Sequence, residues 1–470
     1  MKALLAGLTL LALATNAFPQ SCPTADDTYV QGLLDAAAAA GGGTVTLDAR
    51  TYVTCLPLIV GTNVHLRGAG RGATIIRGIT IDPYKLVGGA DVYASIAAVA
   101  AKNVSIADLT IDHFTHGRNG NALAFLPSGS NFSGTVTTNA LAERVEVIGS
   151  PNHHAYLMWN LRGQHVKFLN NWIDGKSSSS YPNSQEGIES YGGYDVLISG
   201  NTVQNIGQTG INIGSAGLAG SETVGVFATD NYLSGCTAGI HLGTSNVNGD
   251  QSIEHTHITG NVIVNSREVG IDVAVWPGSH VRNLDIAHNT IRNTGPGGGL
   301  TAAGIMLRSE GGVAGGTAIV SNTIQDNHIE KVWGQNAHGI RLMSYPNVRL
   351  VDNTIVDTQT EGLWVVDSND LEIVGNRVEK AGWVPIYVGT GNIAGLVVEG
   401  NRIVDWSPST SAILVLGARF GAIRDNILQR SDAVRPGVVS FDAASCGMAI
   451  TGNLSLYSPA VQNPTMPACP

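Results

Sequence analysis

One short pattern recurs along this 470-residue chain and leaves very few architectures open to it. A small residue or Asp precedes Asn, and an aliphatic residue follows two places on: Gly200-Asn201-Thr202-Val203, Gly260-Asn261-Val262-Ile263, Ser321-Asn322-Thr323-Ile324, Asp352-Asn353-Thr354-Ile355, Gly375-Asn376-Arg377-Val378, Gly400-Asn401-Arg402-Ile403 and Asp425-Asn426-Ile427-Leu428. Asn231, Asn289 and Asn453 fill the gaps. Members lie about 23 to 33 residues apart, the length of one coil of a stacked solenoid. A second series keeps phase with the first: Glu186-Gly187-Ile188-Glu189, Thr209-Gly210-Ile211-Asn212, Ala238-Gly239-Ile240-His241, Val269-Gly270-Ile271-Asp272, Ala303-Gly304-Ile305-Met306, His338-Gly339-Ile340-Arg341 and Glu361-Gly362-Leu363-Trp364. Three short strands and their turns cannot bury an apolar face alone, so neighbouring coils must stack and pair edge to edge. The two series therefore predict an all-β chain, a single parallel β-helix of about 11 to 13 coils. Asn tolerates left-handed backbone at a turn, and its amide can bond to the Asn above and below, which predicts an Asn ladder at one corner.

Composition fits a stack with a long core. Hydrophobic residues make up 43% of the chain and charged ones 13%, which excludes disorder. A repeat array grows without new cores, so one long domain is expected despite the length. The predicted division is a secretory signal peptide over 1–17, an N-terminal cap and first coils over 18–85, the β-helix over 86–455 and a C-terminal tail over 456–470. The signal peptide rests on Lys2, the apolar run Ala3 to Ala14, and Thr15 and Ala17 before the cleavage point. No later run is long and apolar enough to span a bilayer, so the sequence predicts a secreted protein, extracellular or periplasmic. Export suits the cysteines: Cys22 with Cys55, and Cys446 with Cys469, would each close a local loop, leaving Cys236 as a buried free thiol. A net charge of -10 without a Lys/Arg cluster argues against nucleic acid and anionic membranes as partners. A monomer and a homotrimer both remain open.

The N-terminal part resembles the opening of pectate-lyase-like β-helix proteins. The residues that carry the resemblance are Asp26 and Asp27, then Val30, Leu33 and Leu34 at helical spacing, Gly41-Gly42-Gly43, Val45-Thr46-Leu47, Thr51-Tyr52 and Leu66-Arg67-Gly68-Ala69-Gly70. The resemblance implies a right-handed coil whose open end is capped by an amphipathic helix. Further on, Asn183-Ser184-Gln185-Glu186-Gly187-Ile188-Glu189 is similar to the place where polygalacturonase-type hydrolases carry Asn-Thr-Asp-Gly-Ile-Asp. The paired Asp residues of their next coil are replaced here by Gln208-Thr209-Gly210-Ile211-Asn212. The same stretch falls where alginate epimerases place Tyr-Gly-Phe-Asp-Pro-His, and Glu186-Gly187-Ile188-Glu189-Ser190-Tyr191 keeps the acid but lacks the Pro-His. Both resemblances point to an active coil without fixing a reaction.

Strand parity places the residue after each inward aliphatic on the outside. One column should then hold Trp159, Glu189, Asn212, His241, Asp272, Met306, Arg341, Trp364 and Tyr387, with neighbours about 4.8 Å apart. Aromatic rings on an outer face suit sugar stacking, and the excursions 175–185 and 295–301 could wall a groove. Glu186, Glu189 and Tyr191 form one chemical group. His241 beside Asp272, with Arg308 and Arg341 further along, forms another, because a carboxylate orients a histidine that must accept and return a proton. Glu189 and Asp272 lie three coils apart, roughly 14 Å, too far for either glycosidase geometry. Glu186 with Glu189 keeps inverting hydrolysis open.

The favoured function is a secreted polysaccharide-active enzyme, a lyase or C5 epimerase on a uronate-containing chain. Its expected catalytic residues are Glu189, His241, Asp272, Tyr191 and Arg341. Expected to bind substrate are Trp159, Glu186, Asn212, Arg308, His338, Trp364 and Tyr387. A glycoside hydrolase using Glu186/Glu189 or Asp272 is one alternative, and a non-catalytic carbohydrate-binding module or adhesin another. This chemistry requires no cofactor. Surface carboxylates leave calcium open without any spaced Asp motif. His255 and His257 share a strand face but lack a third ligand, and His153-His154 stands alone, so no zinc site is expected.

Overall fold

The computed structural model describes residues 22–79, 84–113, 120–149, 155–177, 185–215, 222–244, 251–295, 302–310, 318–389, 393–431, 439–456, 466 and 469. The proposed leader, His153-His154 and most of the two proposed groove walls lie outside these residues. Three long sheets share the chain, each taking one short strand from every coil. The first runs from Gly43–Thr46 to Cys446–Thr451, the second from Thr51–Thr54 to Leu454–Ser455 and the third from Leu58–Ile59 to Val439–Phe441. Within them every pairing is parallel, and the hairpin of Lys85–Val87 with Ala90–Val92 is antiparallel. Among the described residues the sheets hold 16, 15 and 14 strands, which adds early coils that carry no Asn signature to the 11 to 13 expected.

The helix α1, Ala25–Ala39, closes the N-terminal end. Thr24 and Asp27 form a reciprocal capping box that satisfies its first amides, and Val30 and Leu34 are buried against the first coils. This covers a sheet edge that would otherwise be free to pair. Inside, one continuous aliphatic core runs the length of the stack, from Val30 to Ile450. The disulfides Cys22–Cys55 and Cys446–Cys469 staple the two ends. Cys236 is free and buried, and burial pushes its thiol up to about 12.

The Asn ladder runs without a break through Asn171, Asn201, Asn231, Asn261, Asn289, Asn327, Asn353, Asn376, Asn401, Asn426 and Asn453. Each Nδ2 donates to the next Oδ1, at 2.9 Å between Asn201 and Asn231. The second Nδ2 proton goes to a carbonyl of the coil below, as from Asn201 to Phe168. Each Oδ1 also accepts a backbone N–H, as from Asn201 to Asn231. Every polar atom of a buried amide is thereby used. Two details differ from the sequence expectation. Asn322 is off the ladder, its place taken by Asn327, because Asn322 opens a first-sheet strand and bonds Leu284 and Tyr345 instead. The left-handed residue is the one before the Asn, as at Gly200 (φ 67°), Asp230 (φ 56°) and Asp352 (φ 53°).

The glycine series has a steric cause. A Cβ at Gly239 would lie 2.5 Å from Ile263 Cγ2 in the core and 2.6 Å from the carbonyl oxygen of Gly270, the next member. The same double contact, core side chain plus next glycine carbonyl, recurs at Gly187, Gly210, Gly270, Gly304 and Gly339. Coils can approach at this corner only without side chains, and the residues on either side of each glycine are thereby set in register.

Candidate active site

The third sheet brings the proposed column together pair by pair, from Trp159 beside Glu189 through Asn212, His241, Asp272, Met306, Arg341 and Trp364 to Tyr387. It points away from the main core, but it is not the open ridge that parity alone suggests. Glu189 is 0%, Asn212 2% and Asp272 7% exposed. Side chains before corner glycines, such as Glu186, Val269, His338 and Glu361, and some two places after a column member, such as Tyr191 and Arg308, pack along it. The column falls into three groups.

The first holds Tyr156, Trp159, Glu186, Glu189, Tyr191 and Asn212. Asn212 Nδ2 donates to Glu186 Oε2 at 2.6 Å and to the Tyr191 hydroxyl at 2.9 Å. Neither oxygen of Glu189 has a hydrogen-bond partner among the described residues. Burial, and then the neighbouring Glu186 carboxyl, holds Glu189 well above the usual carboxylate range. Burial, and the neighbouring Glu189 and Glu186 carboxyls, likewise keep Tyr191 protonated far beyond neutral pH. Trp159 is not an open platform, because Phe132 packs edge-on at 5.7 Å and Tyr156 at 5.3 Å.

The second group is His241, Asp272 and Arg308. His241 Nδ1 lies 3.0 Å from Asp272 Oδ2, and Arg308 Nη2 reaches the same oxygen at 3.2 Å while its Nη1 meets Glu310 at 2.8 Å. Burial pushes Asp272 up, yet the His241 hydrogen bond and charge, with Arg308, outweigh it and leave the carboxylate below its usual range. An ionised Asp272 accepts a hydrogen bond from Nδ1–H, which leaves the Nε2 lone pair for chemistry.

Two glycines decide where the rings lie. A Cβ at Gly243 would sit 2.5 Å from His241 Nε2, and one at Gly214 would sit 2.6 Å from Tyr191 Cε1. Gly214 and Gly243 pair directly on adjacent coils. The outward position that holds Tyr191, Gly214, Gly243, Ala274 and Arg308 thus has small residues in the middle and large polar side chains at both ends.

The third group lies beyond an apolar patch of Val269, Ala303 and Met306. His338 Nδ1 stands 2.7 Å from Glu361 Oε2, and both are buried. Burial lowers His338 despite Glu361, while the His338 contact outweighs burial and lowers Glu361. Trp364 has His338 stacked at 5.1 Å and the Arg341 guanidinium over its ring at 4.6 Å. Tyr387 stacks on Trp364 at 6.3 Å, and Trp383 stacks on Tyr387 at 6.1 Å. Rings repeated at coil spacing stack on one another, so Trp364 presents edges rather than a free face to a sugar.

Residues 216–428 match the family model described as right handed beta helix region. The protein is a right-handed parallel β-helix. Alginate lyase 7 of Azotobacter vinelandii is 28% identical to it over 197 residues, covering 40% of this chain. The β-helix spans 22% of that relative's length. The tailspike protein of E. coli bacteriophage HK620, solved with a pentasaccharide, superposes with a TM-score of 0.53 at 13% identity over 90% of this chain and 76% of its own. That likeness is one of fold. The A-module of an Azotobacter vinelandii mannuronan C-5 epimerase covers 92% of this chain and 95% of its own at 16% identity, with a TM-score of 0.41.

On this β-helix, then, the residues expected from sequence as two chemical groups on one column fall into three neighbouring groups. Glu186, Glu189, Tyr191, Asn212 and Trp159 share the first, His241, Asp272 and Arg308 the second, and His338, Arg341, Trp364 and Tyr387 the third. Arg341 lies two coils past Asp272, on the far side of Met306. Sequence reasoning missed Tyr156, Glu361, Trp383 and the paired Gly214 and Gly243. The last two left a signal, since a glycine three places after an inward aliphatic breaks the strand pattern. Among the described residues no three His, Cys, Asp or Glu side chains group as a metal site. His257 instead stacks on Phe227 at 5.0 Å.

Proposed function

We propose that the β-helix is an exported polysaccharide lyase that removes the C5 proton of a uronate and breaks the chain by β-elimination. The observation that carries this is the His241 ring, held by Asp272 through Nδ1 and laid over Gly243, beside the glycine that supports Tyr191. In this reading His241 Nε2 takes the C5 proton and Asp272 stabilises the imidazolium. Arg308 draws in the uronate carboxylate and stabilises the charge that develops on it. The C4–O bond then breaks, its electrons leave with the oxygen, and the C5–H pair becomes the C4–C5 double bond. Tyr191 gives its proton to the departing oxygen while Asn212 donates into the phenol oxygen and eases the loss.

Base and acid rest over adjacent glycines on one surface, which suits elimination; epimerisation would need a donor on the opposite side of the sugar. Arg308 replaces Arg341 as carboxylate partner because it already shares Asp272 with His241. Hydrolysis through Glu186 and Glu189 is weaker because Glu189 is sealed from solvent. Likeness to an alginate lyase supports an acidic polysaccharide as substrate, and the two disulfides support export.

The test is incubation with a panel of polyuronates, following both ultraviolet absorbance of unsaturated uronate and new reducing ends. The lyase reading expects the two to rise together. Reducing ends without that absorbance would establish hydrolysis, and binding without either product would leave a carbohydrate-binding module.

A further inference from the structure

Among the described residues, the third group contains a cation without a counter-ion in contact. Arg341 Nε and Nη1 are buried and have no hydrogen-bond partner among the described residues. Its guanidinium is held by the face of Trp364, 4.6 Å away. Burial and the charge of Arg308 disfavour its ionised form, and the more distant Glu361, already engaged by His338, compensates only in part. Such a cation gains more than a solvated one when an anion arrives, because a buried charged donor left unbonded is costlier than a buried neutral one. With Nε and Nη1 unbonded among the described residues, the planar fork keeps donors for a carboxylate, a group that arginine meets in bidentate fashion.

Beside it, Trp383 is 43% exposed and stacked on Tyr387, which itself stacks on Trp364. Trp383 lies at the corner before the strand Ile386–Gly389, off the column whose rings cover one another, so it can offer a sugar the face that Trp364 cannot. We propose that Arg341, with Tyr387 and Trp383, forms a distal subsite for an acidic sugar, separate from the reacting centre. Arg341 is three coils from His241, about 14 Å along the stack. An extended pyranose chain advances by about one coil height per sugar, so the carboxylate bound here belongs to a residue about three places from the one that reacts. Met306, Val269 and Ala303 form an apolar span between the two points. This rests on the polyuronate reading of the same face and adds that affinity grows with chain length once the chain reaches Arg341.

Calorimetric titration with uronate trimers and hexamers, and with a carboxyl-reduced hexamer, separates the possibilities. The His241→Ala protein serves as the parent so that ligands stay intact. The subsite predicts that the parent binds hexamer more tightly than trimer, and that adding Arg341→Met weakens the hexamer about 10-fold, the worth of one charge-assisted hydrogen bond. Arg341→Lys should recover part of that loss, and Trp383→Ala should weaken hexamer more than trimer. The reduced hexamer should be insensitive to Arg341→Met. If the parent binds the acidic oligomers but Arg341→Met binds all lengths as the parent does, the subsite is wrong and the polyuronate reading stands. If the parent binds no acidic oligomer at all, both fall.

Discussion

Two histidine–carboxylate pairs stand on the same face of this β-helix, built alike and placed very differently. His241 and Asp272 meet at 3.0 Å, His338 and Glu361 at 2.7 Å, each through Nδ1 and each with an arginine near. The His241 side chain keeps 25% of its surface and its free nitrogen lies over a glycine, whereas His338 keeps 5% and its ring is stacked on Trp364. Pairing orients an imidazole in both cases. In the proposed mechanism exposure is what separates a base from a brace, and the missing Cβ at Gly243 leaves the His241 ring its place.

The largest expected effect breaks the comparison most cleanly. His241→Ala should lower turnover about 10³-fold, the range of a lost general base, with unfolding unchanged, because the ring is partly exposed and its removal leaves Asp272 with Arg308. His338→Ala should act mainly on stability, costing about 3 kcal/mol in chemical denaturation, since it strands Glu361 as a buried charge. Equal stability loss from both substitutions would show that the two pairs play one role. Gly243→Ala should follow, with turnover down about 10²-fold as the new Cβ displaces Nε2. Ala274 occupies the next position in that column, so circular dichroism should show an intact fold.

The smallest effect concerns a buried acid that has no such partner. The folded chain holds the Glu189 proton more tightly than the unfolded chain does, because burial and Glu186 raise its pKa above the ordinary 4.5. Stability should therefore fall as pH rises from that value toward the folded one, and Glu189→Gln should flatten this part of the curve and raise the melting temperature by a few degrees at neutral pH. A steeper loss with pH in the variant would mean that Glu189 is ionised and paired.

Much of this was legible in the chain. Parity and the glycine series placed Glu189, Asn212, His241, Asp272 and Arg341 side by side although they span more than a hundred residues, because a corner that excludes Cβ atoms fixes every coil in register. What parity cannot give is what lies over the column. Glu361 and Tyr156 come from positions before the corner, which alternation assigns to the interior, yet the bend turns them outward to cover their neighbours. Aromatics at coil spacing look like a sugar platform in sequence, but in space they use their faces on one another. Asn322 shows the same limit, since a matching tetrapeptide lay one strand away from the true rung at Asn327.

The central claim is that His241 takes a proton from C5 of a uronate. Release of isotope to water from a polyuronate labelled with tritium at C5 tests it directly, because elimination and epimerisation both break that bond and hydrolysis does not. The account predicts that label appears in water as product forms and that both stop in the His241→Ala protein. Chain cleavage with the label retained, or release that continues at the parent rate without His241, would contradict it.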